Sequence, residues 1–243
     1  MLILPAIDLL GGRCVRLFQG DYAQATEYSP NPTDVARSFA EQGARWLHVV
    51  DLDGARTGAP ANVEAVASIV KAFAGSVEVG GGIRDLDSAR RLLDLGVDRV
   101  VFGSRLVNDP DFARQAFEEL GDRAVAGIDA RDGRVAVHGW TESSSVRAED
   151  LARRLAEAGA RRMIATDIAT DGAMSGPNLA FLKSMAEAAG VPVIASGGIA
   201  TLADIADVAS LGSLGVEGAI IGKALYERAF TVAEAIQVAA PVR

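Results

Sequence analysis

Short apolar runs recur along the chain, and each is followed by an amphipathic stretch. The runs read as buried strands near Leu2–Ile7, Trp46–Val50, Val77–Val79, Arg99–Phe102, Ala124–Ile128, Met163–Thr166, Val193–Ala195 and Ala219–Ile221. The stretches between them predict helices over Thr33–Gln42, Val63–Ala74, Leu86–Leu95, Pro110–Leu120, Ala148–Ala158, Asn178–Ala189 and Leu202–Ser210, with a last one from Thr231. Gly43, Gly96, Gly159 and Gly190 stand where left-handed C-terminal caps are wanted. Asp85 and Asn178 stand where N-caps belong.

Eight strand–helix alternations predict an α/β fold, a single (β/α)8 TIM barrel over residues 1–243 with no linker. The chain also repeats its signals in the same order, which predicts two similar half-barrels over roughly 1–120 and 121–243. Ala6-Ile7-Asp8 returns as Gly127-Ile128-Asp129, Asp51-Leu52-Asp53-Gly54 as Asp167-Ile168 and Asp171-Gly172, and Gly81-Gly82-Ile83 as Gly197-Gly198-Ile199. Leu9–Pro32 and Asp129–Arg147, the longest irregular stretches, each follow the first strand of a half. Loops after strands form the catalytic face of such a barrel. Short hairpins are expected there, around Cys14–Leu17 and Val135–His138.

Composition narrows the partners. With 49% hydrophobic and only 5% aromatic residues, the core must be mostly Ala, Val, Leu and Ile. A net charge of −8 argues against nucleic acid or an anionic membrane as partner. It leaves a small phosphorylated ligand open, because backbone dipoles bind phosphate whatever the net charge. Cys14 is the one cysteine, so no internal disulfide can form. No charged leader and no run of membrane-spanning length is seen, so a cytoplasmic monomer is expected.

Four glycine-bearing turns follow strands. Gly80-Gly81-Gly82-Ile83-Arg84 follows the third and Ser196-Gly197-Gly198 the seventh; Gly103-Ser104 and Gly222-Lys223 end the fourth and eighth. Glycine lets the backbone approach an anion, and a helix start offers unpaired N–H donors. One such turn is as readily a tight connection as a cradle. Four, paired by the repeat, favour a ligand with a phosphate at each end, to which Arg84 and Lys223 could add charge.

No Ser-His-Asp set and no metal-ligand spacing is visible, so neither a metal nor a cofactor is expected. His48, inside a strand among apolar neighbours, reads as structural; His138, in the long loop after the fifth strand, is open between a site and a loop role. That leaves aspartates at strand ends. Asp8 and Asp129 follow the first and fifth strands, which lie opposite in an eight-stranded ring; Asp51 and Asp167 close the second and sixth, with Asp171 beyond. Carboxylates in different environments can serve as base and acid. Helix capping or loop bonding weighs about evenly for Asp51, Asp53 and Asp167, and less for Asp8, Asp129 and Asp171. Thr166, at the tip of the sixth strand, could orient a carboxylate, and Trp140 could stack on a flat heterocycle or simply anchor its loop.

Taken end to end, the chain resembles the ProFAR isomerases (phosphoribosylformimino-5-aminoimidazole carboxamide ribotide isomerases), the phosphoribosyl isomerases of histidine biosynthesis. The resemblance rests on Pro5-Ala6-Ile7-Asp8-Leu9, Val15-Arg16-Leu17, Leu47-His48-Val49-Val50-Asp51-Leu52-Asp53-Gly54-Ala55, Gly80-Gly81-Gly82-Ile83-Arg84, Gly127-Ile128-Asp129, Thr166-Asp167-Ile168, Ser175-Gly176-Pro177-Asn178 and Gly222-Lys223-Ala224-Leu225-Tyr226. It implies a cofactor-free Amadori rearrangement of a bisphosphorylated substrate. It further implies that Asp8 is the base, that Asp171 or Asp129 is the acid with Asp171 preferred, that Thr166 assists, and that Gly176 belongs with the phosphate-binding turns. Two departures stand out: Ala173 replaces a hydroxyl residue, and Arg105 follows Gly103-Ser104 where a small residue is usual. Rival readings are an isomerase that also takes phosphoribosyl anthranilate, with Arg16, Arg131 or Arg147 as the extra cation; the cyclase subunit of imidazole glycerol phosphate synthase; and a non-catalytic phosphosugar-binding barrel. The opening Ala-Ile-Asp and the retained acids weigh against the last two.

Overall fold

The computed structural model describes residues 1–137, 139, 140 and 142–240, so His138 lies outside the described residues. Among the described residues, twelve strands are formed. Eight of them, β1 (Leu2–Leu10), β4 (Trp46–Asp51), β5 (Ser76–Gly80), β6 (Arg99–Phe102), β7 (Ala124–Arg131), β10 (Met163–Asp167), β11 (Val193–Ser196) and β12 (Val216–Ile221), pair in parallel. The order β10-β11-β12-β1-β4-β5-β6-β7 is closed by pairing of β7 with β10, with Thr166 opposite Asp129. The ring is therefore a (β/α)8 barrel, with β1 and β7 on opposite sides.

Closure explains the sequence pattern. A barrel strand is covered on its outer face by helices and on its inner face by other strands, so both faces are apolar. Leu4, Ala6, Val125, Ile164, Ile194 and Ile220 fill the interior. The larger core lies between strands and helices and includes Phe102, which meets Phe112 edge-on at 5.5 Å. The helix Leu86–Asp94 turns Leu86, Ala89, Leu92 and Leu93 inward. It starts at Asp85, whose carboxylate accepts the N–H of Ser88 at 2.6 Å. Asn178 likewise caps the helix Leu179–Ala189 rather than opening it. Gly43, Gly96, Gly159 and Gly190 all have positive φ, as helix ends there require.

The long stretch after β1 is more regular than expected. β1 runs on to Leu10, turns at Gly11-Gly12 and pairs with β2 (Arg13–Phe18), which pairs with β3 (Asp21–Ser29). After β7, β8 (Arg134–Val137) and β9 (Glu142–Arg147) form the second antiparallel extension. Short helices over Leu52–Thr57, Ser104–Asn108 and Lys223–Tyr226 were also unforeseen, and β12 begins three residues before the expected Ala219.

Candidate active site

The C-terminal ends of the strands surround a solvent-open cleft of about 1290 Å³. A smaller cleft of about 320 Å³ adjoins it and shares Arg16, Asp171, Ser196 and Ile220. Asp8, Thr166, Asp129, Asp171 and Trp140 all line the larger space. At one end lie Gly81, Gly82, Arg84, Gly103 and Ser104; at the other, around the smaller cleft, lie Ser196, Gly197, Gly198, Gly222 and Lys223. Gly176 lines neither, because it packs behind the turn and donates its N–H to the Gly198 carbonyl at 3.0 Å.

The aspartates divide by what they bond. Asp51 accepts from Gly54, Ala61 and Asn62 backbone N–H groups and from the Asn62 amide, so it ties the loops after β4 together. Asp53 accepts from Gly11 N–H and Asn62, and Asp167 from Ala169 N–H and Asn178. Asp8 and Asp171 instead flank one guanidinium. Arg16 Nη1 lies 2.9 Å from Asp8 Oδ2, and Arg16 Nη2 lies 3.9 Å from Asp171 Oδ1. Burial pushes both carboxyls up while Arg16 opposes it; Asp171, also repelled by Asp8 and Asp129, reaches about 6. The geometry thus gathers, around one cation, two acids in unequal surroundings.

Arg16 was underrated by sequence. It was noted only as a spare cation for a carboxylate substrate, yet it is 7% exposed and committed to Asp8 and Asp171. The signal was its place in β2, which the antiparallel pairing of Asp8 with Val15 folds back over the cleft. Of the other two spare cations, Arg147 pairs with Glu149 on the surface and Arg131 is exposed. His48, read as structural, is held by Glu78 and also lines the cleft.

Three loops meet over the mouth. Trp140 Nε1 donates to Asp129 Oδ2 at 2.8 Å, and its ring rests against Gly20, where an added Cβ would come within 2.4 Å of the indole. Gln19 N–H donates to the Asp171 carbonyl at 3.1 Å and its amide to the Ala169 carbonyl at 2.7 Å. Lys223 Nζ donates to the Gly172 carbonyl at 3.0 Å. The departure at Ala173 leaves a turn closed by its own N–H to the Thr170 carbonyl. Arg105 reaches along its helix to Asp109 at 2.7 Å.

The turn glycines have two kinds of cause. Gly81 (φ 101°) and Gly198 (φ 85°) pack so closely on Asp51 and Gly176 that an added Cβ would lie 2.2 Å from a carbonyl oxygen. The fold itself demands glycine there. Gly103 has negative φ, and nothing lies within 4 Å of an added Cβ, so close packing gives no reason for it and its Cα faces the open cleft.

Among the described residues, no three His, Cys, Asp or Glu side chains gather as a metal site, and no helix is long and apolar enough to cross a membrane. Residues 2–231 match the histidine biosynthesis protein family. A protein of Acaryochloris marina named 1-(5-phosphoribosyl)-5-((5-phosphoribosylamino)methylideneamino) imidazole-4-carboxamide isomerase is 49% identical over 99% of this chain and 94% of its own length. Proteins of the same name from Rhizorhabdus wittichii and Synechocystis are 51% and 52% identical, each over 98% of this chain and over 98% and 93% of their own lengths. With that match covering nearly every residue, the chain belongs to the histidine biosynthesis protein family.

Proposed function

We propose that this enzyme is a ProFAR isomerase, converting the aminoaldose of a bisphosphorylated substrate into the aminoketose by an Amadori rearrangement in histidine biosynthesis. The carrying observation is a pair of adjoining clefts with glycine turns in each and Asp8, Asp129 and Asp171 lining the larger. That layout suits a long molecule with a phosphate at each end and its reacting sugar in the middle. One phosphate sits against Gly81, Gly82, Arg84, Gly103 and Ser104, the other against Ser196, Gly197, Gly198, Gly222 and Lys223. Gly176 acts behind them by supporting Gly198. The same reading takes the protein as a cytoplasmic monomer working without cofactor, metal, nucleic acid or membrane, its two half-barrels each supplying one phosphate site.

In the reaction, an acid protonates the ribose ring oxygen as the bond from that oxygen to C1 breaks, leaving a protonated imine. The iminium acidifies the C2–H, and a base removes that proton to give an enolamine. Protonation at C1 and loss of the C2 hydroxyl proton yield the ketone. Asp171 is the acid: its carboxyl, raised to about 6, holds a proton far more readily near neutrality than an ordinary aspartate. Asp8 is the base, its ionised form supported by Arg16 at 2.9 Å. Asp129, turned to Trp140, and Thr166 opposite it bond the substrate. Closure of these loops over bound substrate keeps water from the imine.

The test is turnover of ProFAR and of phosphoribosyl anthranilate by the purified protein without added metal. Turnover of ProFAR is expected, and its absence overturns the reading. Asp8→Asn should lower kcat at least about 10³-fold, as loss of a general base does, with substrate affinity retained. Ordinary turnover in that variant would remove Asp8 from the role of base.

A further inference from the structure

Beneath Asp8 the barrel holds charges that the reaction above does not use. Glu78, on β5, is fully buried. Its Oε1 lies 2.8 Å from His48 Nδ1, and its Oε2 lies 3.9 Å from Arg99. Arg99 stacks on Trp46 at 3.7 Å, below the level of His48. The neighbouring inner positions toward the cleft include Leu4, Ala6, Val125, Ile164, Ile194 and Ile220, while on the side away from it Arg99 also faces the part-buried Arg162–Glu217 pair. A buried charge pair is a poorer source of stability than apolar side chains of the same volume. Packing therefore gives no reason for it, whereas its position does.

His48 lies opposite Ala6 across the β1–β4 ladder, and Asp8 is the next inward-facing residue of β1. The two side chains thus rise from adjacent strands, one step apart, into the same cleft. With Nδ1 engaged by Glu78, the ring is fixed, and Nε2 has no hydrogen bond to any described residue. It lies near enough to Asp8 and Asp171 for a protonated ring to draw both carboxyls down.

We propose that His48 is a further substrate-contacting residue of the isomerase: its Nε2 bonds the hydroxyl on the carbon that loses its proton to Asp8, and Glu78 is the positioning residue that holds the ring. The inference rests on the isomerase reading. A hydroxyl fits either state of the ring, since it can donate to a neutral Nε2 or accept from a protonated one. As C2–H is broken and the hydroxyl becomes a carbonyl, a neutral Nε2 takes up the hydroxyl proton and then donates to the new carbonyl oxygen, as a protonated Nε2 does from the start, so the contact belongs to turnover more than to binding.

Two substitutions separate this from a structural role. His48→Asn keeps an amide N–H close to the place of Nδ1 and so keeps Glu78 paired, but withdraws Nε2 from the cleft. It should leave the thermal midpoint within about 3 °C of the parent, which for a domain this size is a change below about 1 kcal/mol. Its kcat should fall about 10–100-fold with KM altered less than about threefold. His48→Gln reaches toward the place of Nε2 without serving Glu78, and should recover part of kcat while losing stability. Glu78→Gln, whose amide oxygen still accepts from Nδ1, should keep more of kcat than Glu78→Leu. Parental kcat in His48→Asn, or equal kcat in the two Glu78 variants, overturns the proposal. Should these variants fail to fold, the parent protein decides. The chain has two histidines, and with ¹⁵N-labelled rings the His48 Nε2 signal should move on saturation with the ketose product. An unmoved signal overturns the contact. Failure of the isomerase reading is distinguished by absence of turnover in the parent itself.

Discussion

Asp171 keeps 16% of its side-chain surface, lies 3.9 Å from Arg16 and is pushed from the usual 3.8 to about 6, chiefly by burial. A carboxyl raised on folding binds more protons in the native state, so its ionisation opposes folding. The native state keeps its advantage at low pH and loses it as pH rises from about 4 through 6. Asp171→Asn should therefore be more stable than the parent at pH 8, by about 1–3 kcal/mol, and no more stable near pH 4. Urea denaturation at both values checks this; the variant should also lose turnover. Two glycines give a paired contrast. Gly103→Ala adds a methyl group that meets no other residue and points to the cleft, and should raise KM. An added Cβ at Gly222 would lie 2.3 Å from the Arg16 guanidinium, so Gly222→Ala should displace Arg16 from Asp8 and lower kcat as well. Steady-state kinetics of both variants read the difference. That Asp8, Asp129 and Asp171 lie at the cleft could be read from sequence because each stands where, or shortly after, an apolar run ends. His48 and Arg16 were not, since a residue inside a strand shows its cleft-facing side only when the neighbouring strands are in register.

At the level of elements, Asn62 bonds Asp51, Asp53 and the Gly12 N–H, and is 8% exposed. Asn178, itself exposed, bonds the partly buried Asp167 and caps a helix. Asn62→Ala strips partners from buried groups and should cost about 2–3 kcal/mol, whereas Asn178→Ala loses a cap worth about 1 kcal/mol. Chemical denaturation of the two variants should give that order. The elements that escaped sequence reading share a cause. The helices Leu52–Thr57, Ser104–Asn108 and Lys223–Tyr226 are too short to show a period. β3 is largely exposed and polar, so no apolar run marks it; it is held by pairing with β2.

For the whole molecule, the seams of the proposed repeat are the β6–β7 and β12–β1 pairings. A break within Gly121–Arg123, where Asp122 and Arg123 are exposed, leaves β1, β4, β5 and β6 on one piece and β7, β10, β11 and β12 on the other. Each piece alone has two unpaired sheet edges and no complete cleft. Residues 1–121 and 122–243 produced together should associate and recover isomerase activity, while each alone should be inactive; separate, inactive pieces after co-production would count against half-barrel units. Strand and helix order, the caps at Asp85 and Asn178 and the aspartates at strand ends follow from local pattern, because propensity and periodicity act between near neighbours. Which acids carry a shared cation, which glycines answer to packing and which to an open cleft, and which strand residues form its floor were decided by closure of the barrel. Those are contacts between residues far apart in the chain, such as Arg16 with Asp171 and Trp140 with Gly20, and no local pattern encodes them.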